Sequence, residues 1–149
     1  MGFKFRYESS IAYRSHLKEK AGIELAKAQT YLRECNDLMR SYQESLLQAG
    51  SDLDKDLRAG IPSHVLKSHS GYIAGLEKKI EVQSRLITRA RNLVNEKLKI
   101  LQAKTTECRI FEKLKEKDLK KWNHQQNHRE QKETNETAVL RCGRDYLPG

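Results

Sequence analysis

The sequence predicts an all-α protein, a long antiparallel two-helix coiled-coil hairpin whose second helix overhangs the first. Charged residues make up 33% of the 149-residue chain and hydrophobic residues 37%. This hydrophobic fraction is too small to form a thick globular core. Apolar residues nevertheless recur at helical spacing, and one glycine-proline break lies near residue 60. Together these observations favour two helices joined by a hinge and packed along a thin apolar seam.

The first helix is predicted over about residues 8–58 by a heptad pattern. Alternate steps of four and three residues from Ala21 meet only apolar or aromatic side chains. These seam positions are Ala21, Leu25, Ala28, Leu32, Cys35, Met39, Tyr42, Leu46, Ala49 and Leu53. A seam this long is typical of a coiled coil.

The hinge is predicted at about residues 59–63. Gly60 suits the left-handed position that follows a helix, and Pro62 cannot continue that helix. Ser63 is expected to cap the second helix. The prolines occur only at Pro62 and Pro148, so each predicted helix is free of internal breaks.

The second helix is predicted over about residues 64–138. Its main apolar line is Ile73, Leu76, Ile80, Ile87, Val94, Leu101 and Cys108, and its d-type positions are the poorer Gln83, Ala90, Lys97 and Lys104. A second apolar line holds Leu86, Leu93 and Ile100. Either the hairpin packs asymmetrically around both lines, or the second line is left for a partner.

The chain is expected to form a single domain over residues 1–149, with a flexible tail after the second helix. A hinge near residue 60 pairs residues whose numbers add to about 121, so Glu8 would face about Lys113. Residues 123–136 contain no apolar side chain. We therefore expect the second helix to be unpaired beyond about Lys113, as a solvated extension or a segment that a partner orders.

Residue patterns for catalysis, cofactors or metals are missing from the sequence. It has neither a phosphate-binding glycine loop nor a C-x-x-C pair. His124 and His128 lie four residues apart, but no third ligand accompanies them. Cys35 and Cys108 are interpreted as seam residues. We expect a protein that is not an enzyme, with no cofactor and no metal site.

The net charge of +9 draws the chain towards anionic partners. Basic residues recur from Lys78 to Lys104, but no aromatic residue lies between Tyr72 and Phe111 to stack on bases. Nucleic-acid binding is therefore not expected. No apolar run is long enough for a transmembrane helix, and the N-terminus does not resemble a secretory signal.

Three motifs in chain order resemble the FliJ family of flagellar type III export stalk proteins. The opening Phe3-Lys4-Phe5-Arg6-Tyr7-Glu8 is followed by Leu25-Ala26-Lys27-Ala28. Gly60-Ile61 precedes Tyr72-Ile73 and Leu76-Glu77-Lys78, and the close is Gln131-Lys132-Glu133 with Glu136, Ala138 and Arg141. Departures are the incomplete tyrosine pattern at Tyr42 and Asn135 in place of an aspartate.

The resemblance implies a soluble stalk that couples the hexameric export ATPase to the cytoplasmic domain of the membrane export gate. It also implies help to export chaperones and their substrates in flagellum biogenesis, and hence in motility and chemotaxis. The gate-binding candidates are Tyr42, Tyr72 and Leu76. The ATPase-ring candidates are Phe3, Phe5, Arg6, Arg14, Lys117, Lys120, Lys121 and Trp122.

The expected location is the cytoplasm, peripheral at the inner face of the inner membrane and without insertion into it. Two alternatives stay open at this point. One is the equivalent stalk of a virulence-type secretion system, and the other is a generic basic coiled-coil adaptor or nucleic-acid binder.

Overall fold

A computed structural model describes residues 2–145 and contains two long α-helices that pack against each other. Helix α1 spans Glu8–Ala59 and helix α2 spans Ser63–Asp145. The described residues contain no strand, so the predicted all-α helical hairpin is confirmed. Neither helix has a stretch apolar enough to cross a membrane within residues 2–145.

Contacts within the chain group the residues into two units. The hinge-side unit holds Glu19–Ala103, and the terminal unit holds the described residues before and after that range. Each unit contains a part of both helices.

The hinge-side unit is organised around the predicted seam of α1. Each of the ten seam residues from Ala21 to Leu53 is buried or half-buried. Cys35 packs in a buried cluster with Ile87 and Ala90 of α2. The heptad pattern therefore identifies the face of α1 that is removed from water.

The matching seam of α2 includes the polar positions that the sequence marks as weak. Gln83 and Ala90 are buried, and Lys97 is half-buried. Lysine can occupy such a position because its aliphatic stem covers apolar surface while the ammonium reaches solvent. The second apolar line behaves differently: Leu86 is half-buried, but Leu93 and Ile100 are exposed.

The hinge differs from prediction in its cap. Gly60 has a φ of 81°, so the predicted left-handed position is confirmed. The carbonyl of Pro62, however, accepts hydrogen bonds from the amides of Val65 and Leu66 at 3.1 and 3.2 Å. Pro62 therefore occupies the capping position predicted for Ser63, which is the first residue of α2.

The register of the two helices follows the predicted sum. Arg14 and Glu107 pair in the terminal unit, and Tyr42 and Lys79 meet in the hinge-side unit. In both pairs the residue numbers add to 121, as a hinge near residue 60 requires.

The C-terminal end of α2 extends to Asp145, beyond the predicted end near residue 138. Every residue from 127 to 145 is exposed. The last four residues of the predicted flexible tail, 146–149, lie outside the described residues.

Candidate protein-interaction surfaces

The N-terminal residues 2–7 precede α1 and lie against α2 through aromatic rings. The ring centres of Phe3 and Trp122 lie 6.0 Å apart, and the rings are tilted against each other. The ring centres of Tyr7 and Phe111 lie 6.1 Å apart in an edge-on arrangement. Phe5 is buried and contacts Tyr7 at 5.7 Å. Such tilted and edge-on ring pairs contribute roughly 0.5–1.5 kcal/mol each beyond their buried area.

This aromatic cluster corrects the expectation that α2 is unpaired beyond about Lys113. Residues Gly2–Phe5 are not helical, and an extended chain advances about 3.3 Å per residue where a helix rises only about 1.5 Å. Four extended residue steps from Phe3 to Tyr7 cover about 13 Å, against about 16 Å for the eleven steps from Phe111 to Trp122 along α2, and the long aromatic side chains reach across the difference. The unpaired part of α2 therefore begins at residue 127, from which every described residue is exposed.

Arg14 is held inside the terminal unit by two partners on α2. Its guanidinium lies 4.4 Å from the ring centre of Phe111 and pairs with the Glu107 carboxylate at 3.1 Å. Lys104 lies 3.8 Å from the same carboxylate. Arg14 is thus a packing and charge-pairing residue in this structure, which a sequence motif alone cannot distinguish from a partner-binding residue.

The remaining ring candidates form a basic surface. Arg6 is exposed and lies 5.4 Å from the Tyr7 ring centre. Lys117, Lys120 and Lys121 are exposed on α2. Beyond them the exposed helix carries Val139 and Leu140, each 70% exposed, which are large apolar side chains without cover in the described residues. The sequence analysis did not single out this pair.

Four further residues that the sequence analysis did not name individually as site candidates help to build the terminal unit. Tyr7, Phe111 and Glu107 provide the ring and carboxylate contacts described above, and Lys115 pairs with Glu8 at 3.0 Å. The approximate register placed Glu8 opposite Lys113, two residues from its actual partner. The spacing of residues within helices does not show that the non-helical N-terminal segment supplies aromatic partners to α2.

The three gate candidates lie at different depths in the hinge-side unit. Tyr72 is 58% exposed, whereas Leu76 is only 5% exposed. Tyr42 is half-buried, and the Lys79 ammonium lies 5.8 Å from its ring centre. Leu76 occupies the seam, because it stands one helical turn after Ile73 and before Ile80. Tyr72 therefore offers the accessible surface of the three.

A polar pair joins the two helices close to the hinge. His69 Nε2 lies 2.7 Å from Asp56 Oδ2, and both side chains are partly exposed. This contact joins the first turns of α2, which carry Tyr72, to the last turns of α1.

The two cysteines that were interpreted as seam residues are buried, as predicted. Cys35 and Cys108 are buried in the seam, and the thiol of Cys142 is exposed. The pKa of Tyr31 lies above the ordinary 10.0. The largest cause is a hydrogen bond with the Cys35 side chain, followed by the charge of Cys35 and by desolvation of the Tyr31 ring. Within residues 2–145, no three metal-ligating side chains converge.

The two long helices define a helical-hairpin protein. It has two candidate protein-interaction surfaces, one on the terminal unit and one around Tyr72. Residues 3–145 match the family described as flagellar FliJ protein. The chain belongs to this family. It is 22% identical over 142 residues to the flagellar FliJ protein of Bacillus subtilis (strain 168), covering 93% of this chain and 95% of the relative.

A solved structure shares the fold. It is described as that of a YscO homologue, CT670, from Chlamydia trachomatis, with a TM-score of 0.58 and 15% identity. The match covers 98% of this chain and 100% of that one. At this identity the likeness is one of fold.

Proposed function

We propose that this chain is a soluble stalk of the flagellar type III export apparatus. It links the hexameric export ATPase to the cytoplasmic domain of the membrane export gate and assists export chaperones and their substrates. The observation that carries this proposal is the family match, which extends over residues 3–145. The protein works in the cytoplasm at the inner face of the membrane.

The terminal unit is the proposed ATPase-binding part. Its exposed Lys117, Lys120 and Lys121 steer the chain towards an acidic ring opening, because charge complementarity raises the association rate. Arg14 and Trp122 act indirectly, since their contacts with Glu107 and Phe3 hold the aromatic cluster that supports this surface. Phe3 and Phe5 belong to that cluster, and Arg6 adds charge at its edge.

The exposed helix of residues 127–145 is the second part of the proposed ring contact. It buries nothing within the described chain, and it carries Val139 and Leu140 on an otherwise polar surface. An apolar pair of this kind gains free energy when a partner removes it from water, roughly 25 cal/mol per Å² of apolar area.

The gate-binding surface is proposed around Tyr72. Its exposed ring can serve as an anchor, since tyrosine is enriched among residues that dominate binding energy. Tyr42 contributes its accessible edge. Leu76 contributes through the seam, because its burial keeps the backbone beneath Tyr72 in place.

Turnover of the export ATPase tests the ring contact. Full-length protein is expected to stimulate the ATPase, and a chain that lacks residues 127–149 is expected to lose this stimulation. The truncation retains Trp122 and its contact with Phe3, so the melting temperature should change little. Equal stimulation by the truncated chain would contradict a role for the exposed helix.

Binding to the gate domain tests the hinge-side contact. Tyr72→Ala is expected to weaken it by about 2 kcal/mol if the ring is an anchor. Leu47→Ala is the matched control, because Leu47 is also an exposed apolar residue of this unit but lies on the outer face of α1. Equal losses in the two variants would argue against a specific role for Tyr72.

A further inference from the structure

One flank of the hinge-side unit carries a row of exposed or half-buried apolar side chains. We call it the apolar flank; it consists of Tyr31, Leu38, Val82, Leu86, Leu93 and Ile100. Five of these residues directly precede an apolar seam residue, as Tyr31 precedes Leu32 and Leu86 precedes Ile87, and Val82 directly precedes the buried seam residue Gln83. In an antiparallel coiled coil such positions of both helices border the same side of the seam.

A contact in the structure supports this assignment of sides. Lys79 directly precedes the seam residue Ile80, and its ammonium lies 5.8 Å from the Tyr42 ring centre on α1. This line of α2 therefore borders α1 on the flank where Tyr31 and Leu38 stand.

Several large apolar side chains of the apolar flank are exposed to solvent. Tyr31, Leu93 and Ile100 are 45%, 37% and 40% exposed. The opposite flank of the seam is mainly polar, with Leu98 as its apolar exception in the middle of α2. Alongside the apolar flank it consists of Gln29, Asn36, Gln43, Glu77, Ser84, Arg91 and Leu98, and nearer the hinge Leu57 is a further exposed apolar residue on this side. An apolar row confined to one side of a polar protein marks an interaction surface.

The outer border of the apolar flank on α2 is basic. Its charged residues are Lys78, Arg85, Arg89, Glu96 and Lys99. Arg85 pairs with Glu81 at 2.6 Å, whereas Lys78, Arg89 and Lys99 are exposed. A partner that covers the apolar row would bring its own border against these cations, which favours carboxylates over lysines or arginines at that place.

We propose that the apolar flank binds an acidic amphipathic helix of another protein. The helix lies along the seam as a third strand of the coiled coil and places its apolar face over Leu86, Leu93 and Ile100. The row from Val82 to Ile100 spans 18 residue steps, or about 27 Å of helix, which matches roughly five turns of a partner helix.

The test uses the full-length protein and a labelled synthetic peptide of about 21 residues. The peptide carries leucines at helical spacing on one face and glutamates on the others. A peptide of the same composition with scrambled order is the control for charge alone. Fluorescence anisotropy is expected to show at least about tenfold tighter binding of the amphipathic peptide, since only that peptide can cover an apolar row.

Two pairs of substitutions separate the apolar and electrostatic parts. Leu93→Ser with Ile100→Ser, and separately Arg89→Glu with Lys99→Glu, are each expected to weaken peptide binding at least about tenfold. Leu47→Ser on the outer face should leave it unchanged. The charge-reversal pair involves exposed side chains, so it keeps the test valid if the serine pair lowers helicity.

Three outcomes would overturn the proposal. They are equal binding of the scrambled peptide, unchanged binding by both substituted pairs, or self-association of the protein that the serine pair abolishes. Tyr72→Ala should retain peptide binding. Failure of the gate assay with intact peptide binding would therefore count against the proposed stalk function alone.

Discussion

The side-chain amide of Gln83 on α2 donates a hydrogen bond of 2.8 Å to the backbone carbonyl of Cys35 on α1. Both residues are buried, so the bond links the two seams where water does not compete. A buried polar group needs its partner, because leaving it unpaired costs roughly 1–3 kcal/mol. This bond therefore favours the observed register of the hinge-side unit, because a shifted register would leave the Gln83 amide without this partner.

Substitutions of Gln83 test this relationship. Gln83→Ala is expected to lower the free energy of unfolding by about 1–2 kcal/mol, because it removes the bond and leaves space in the seam. Gln83→Leu should cost less, since leucine fills the space and the Cys35 carbonyl keeps its bond within α1. Urea denaturation followed by circular dichroism measures both. Equal stability of Gln83→Ala and the unsubstituted protein would contradict the structural role.

Arg14 is predicted to stabilise the terminal unit through its flat guanidinium as well as its charge. Arg14→Ala should lower the unfolding free energy by about 1 kcal/mol, a value limited by the partial exposure of Arg14 and Glu107. Arg14→Lys should recover only part, because lysine does not stack on Phe111 in the same way. Thermal denaturation is the measurement, and full recovery by lysine would assign the effect to charge alone.

The contact between Phe3 and Trp122 can be followed by fluorescence, because the chain has one tryptophan. Phe3→Ser should expose the indole to water and shift its emission to longer wavelength. Lys4→Ser changes an exposed neighbour and serves as the control. An unchanged spectrum for Phe3→Ser would show that the N-terminal segment does not cover Trp122 in solution.

Tyr31 is predicted to ionise at higher pH than an ordinary tyrosine. The hydrogen bond with Cys35 is the largest of the causes that raise the pKa of Tyr31 above 10.0. The charge of Cys35 and desolvation raise it further. A raised pKa means that the folded state favours the protonated phenol, so this contribution to stability is present below about pH 10 and is lost as the pH rises through the raised pKa.

Carbon-13 NMR of labelled tyrosine rings can measure that titration. Cys35→Ala should return the pKa of Tyr31 towards the ordinary value, because the hydrogen bond is its largest cause. Cys108→Ala removes a buried thiol from the other unit and should have no effect. If both alanine variants titrate alike, Cys35 is not the cause.

The sequence predicted those features that depend on periodicity and on local turn chemistry. The seam from Ala21 to Leu53, the left-handed Gly60 and the register all follow from heptad spacing and the glycine-proline break. The N-terminal aromatic segment did not follow, because a register calculated for two helices assumes 1.5 Å per residue on both sides. Extended residues cover twice that distance.

The candidate sites were harder to predict than the fold. Leu76 and Tyr72 stand four residues apart and look alike as apolar motif residues, yet one is buried and the other exposed. The difference depends on which of two neighbouring apolar lines faces α1. Gln83 and Ala90 of the line that faces α1 pack against Cys35, and residue type alone does not reveal this fit.

The proposed bridging role has a direct test with three purified components. The cytoplasmic domain of the export gate is immobilised, and the hexameric export ATPase is added with or without the full-length chain. Retention of the ATPase is expected only when the chain is present, and the chain without residues 127–149 should bind the gate domain but retain no ATPase. Equal retention with and without the full-length chain would contradict the bridge.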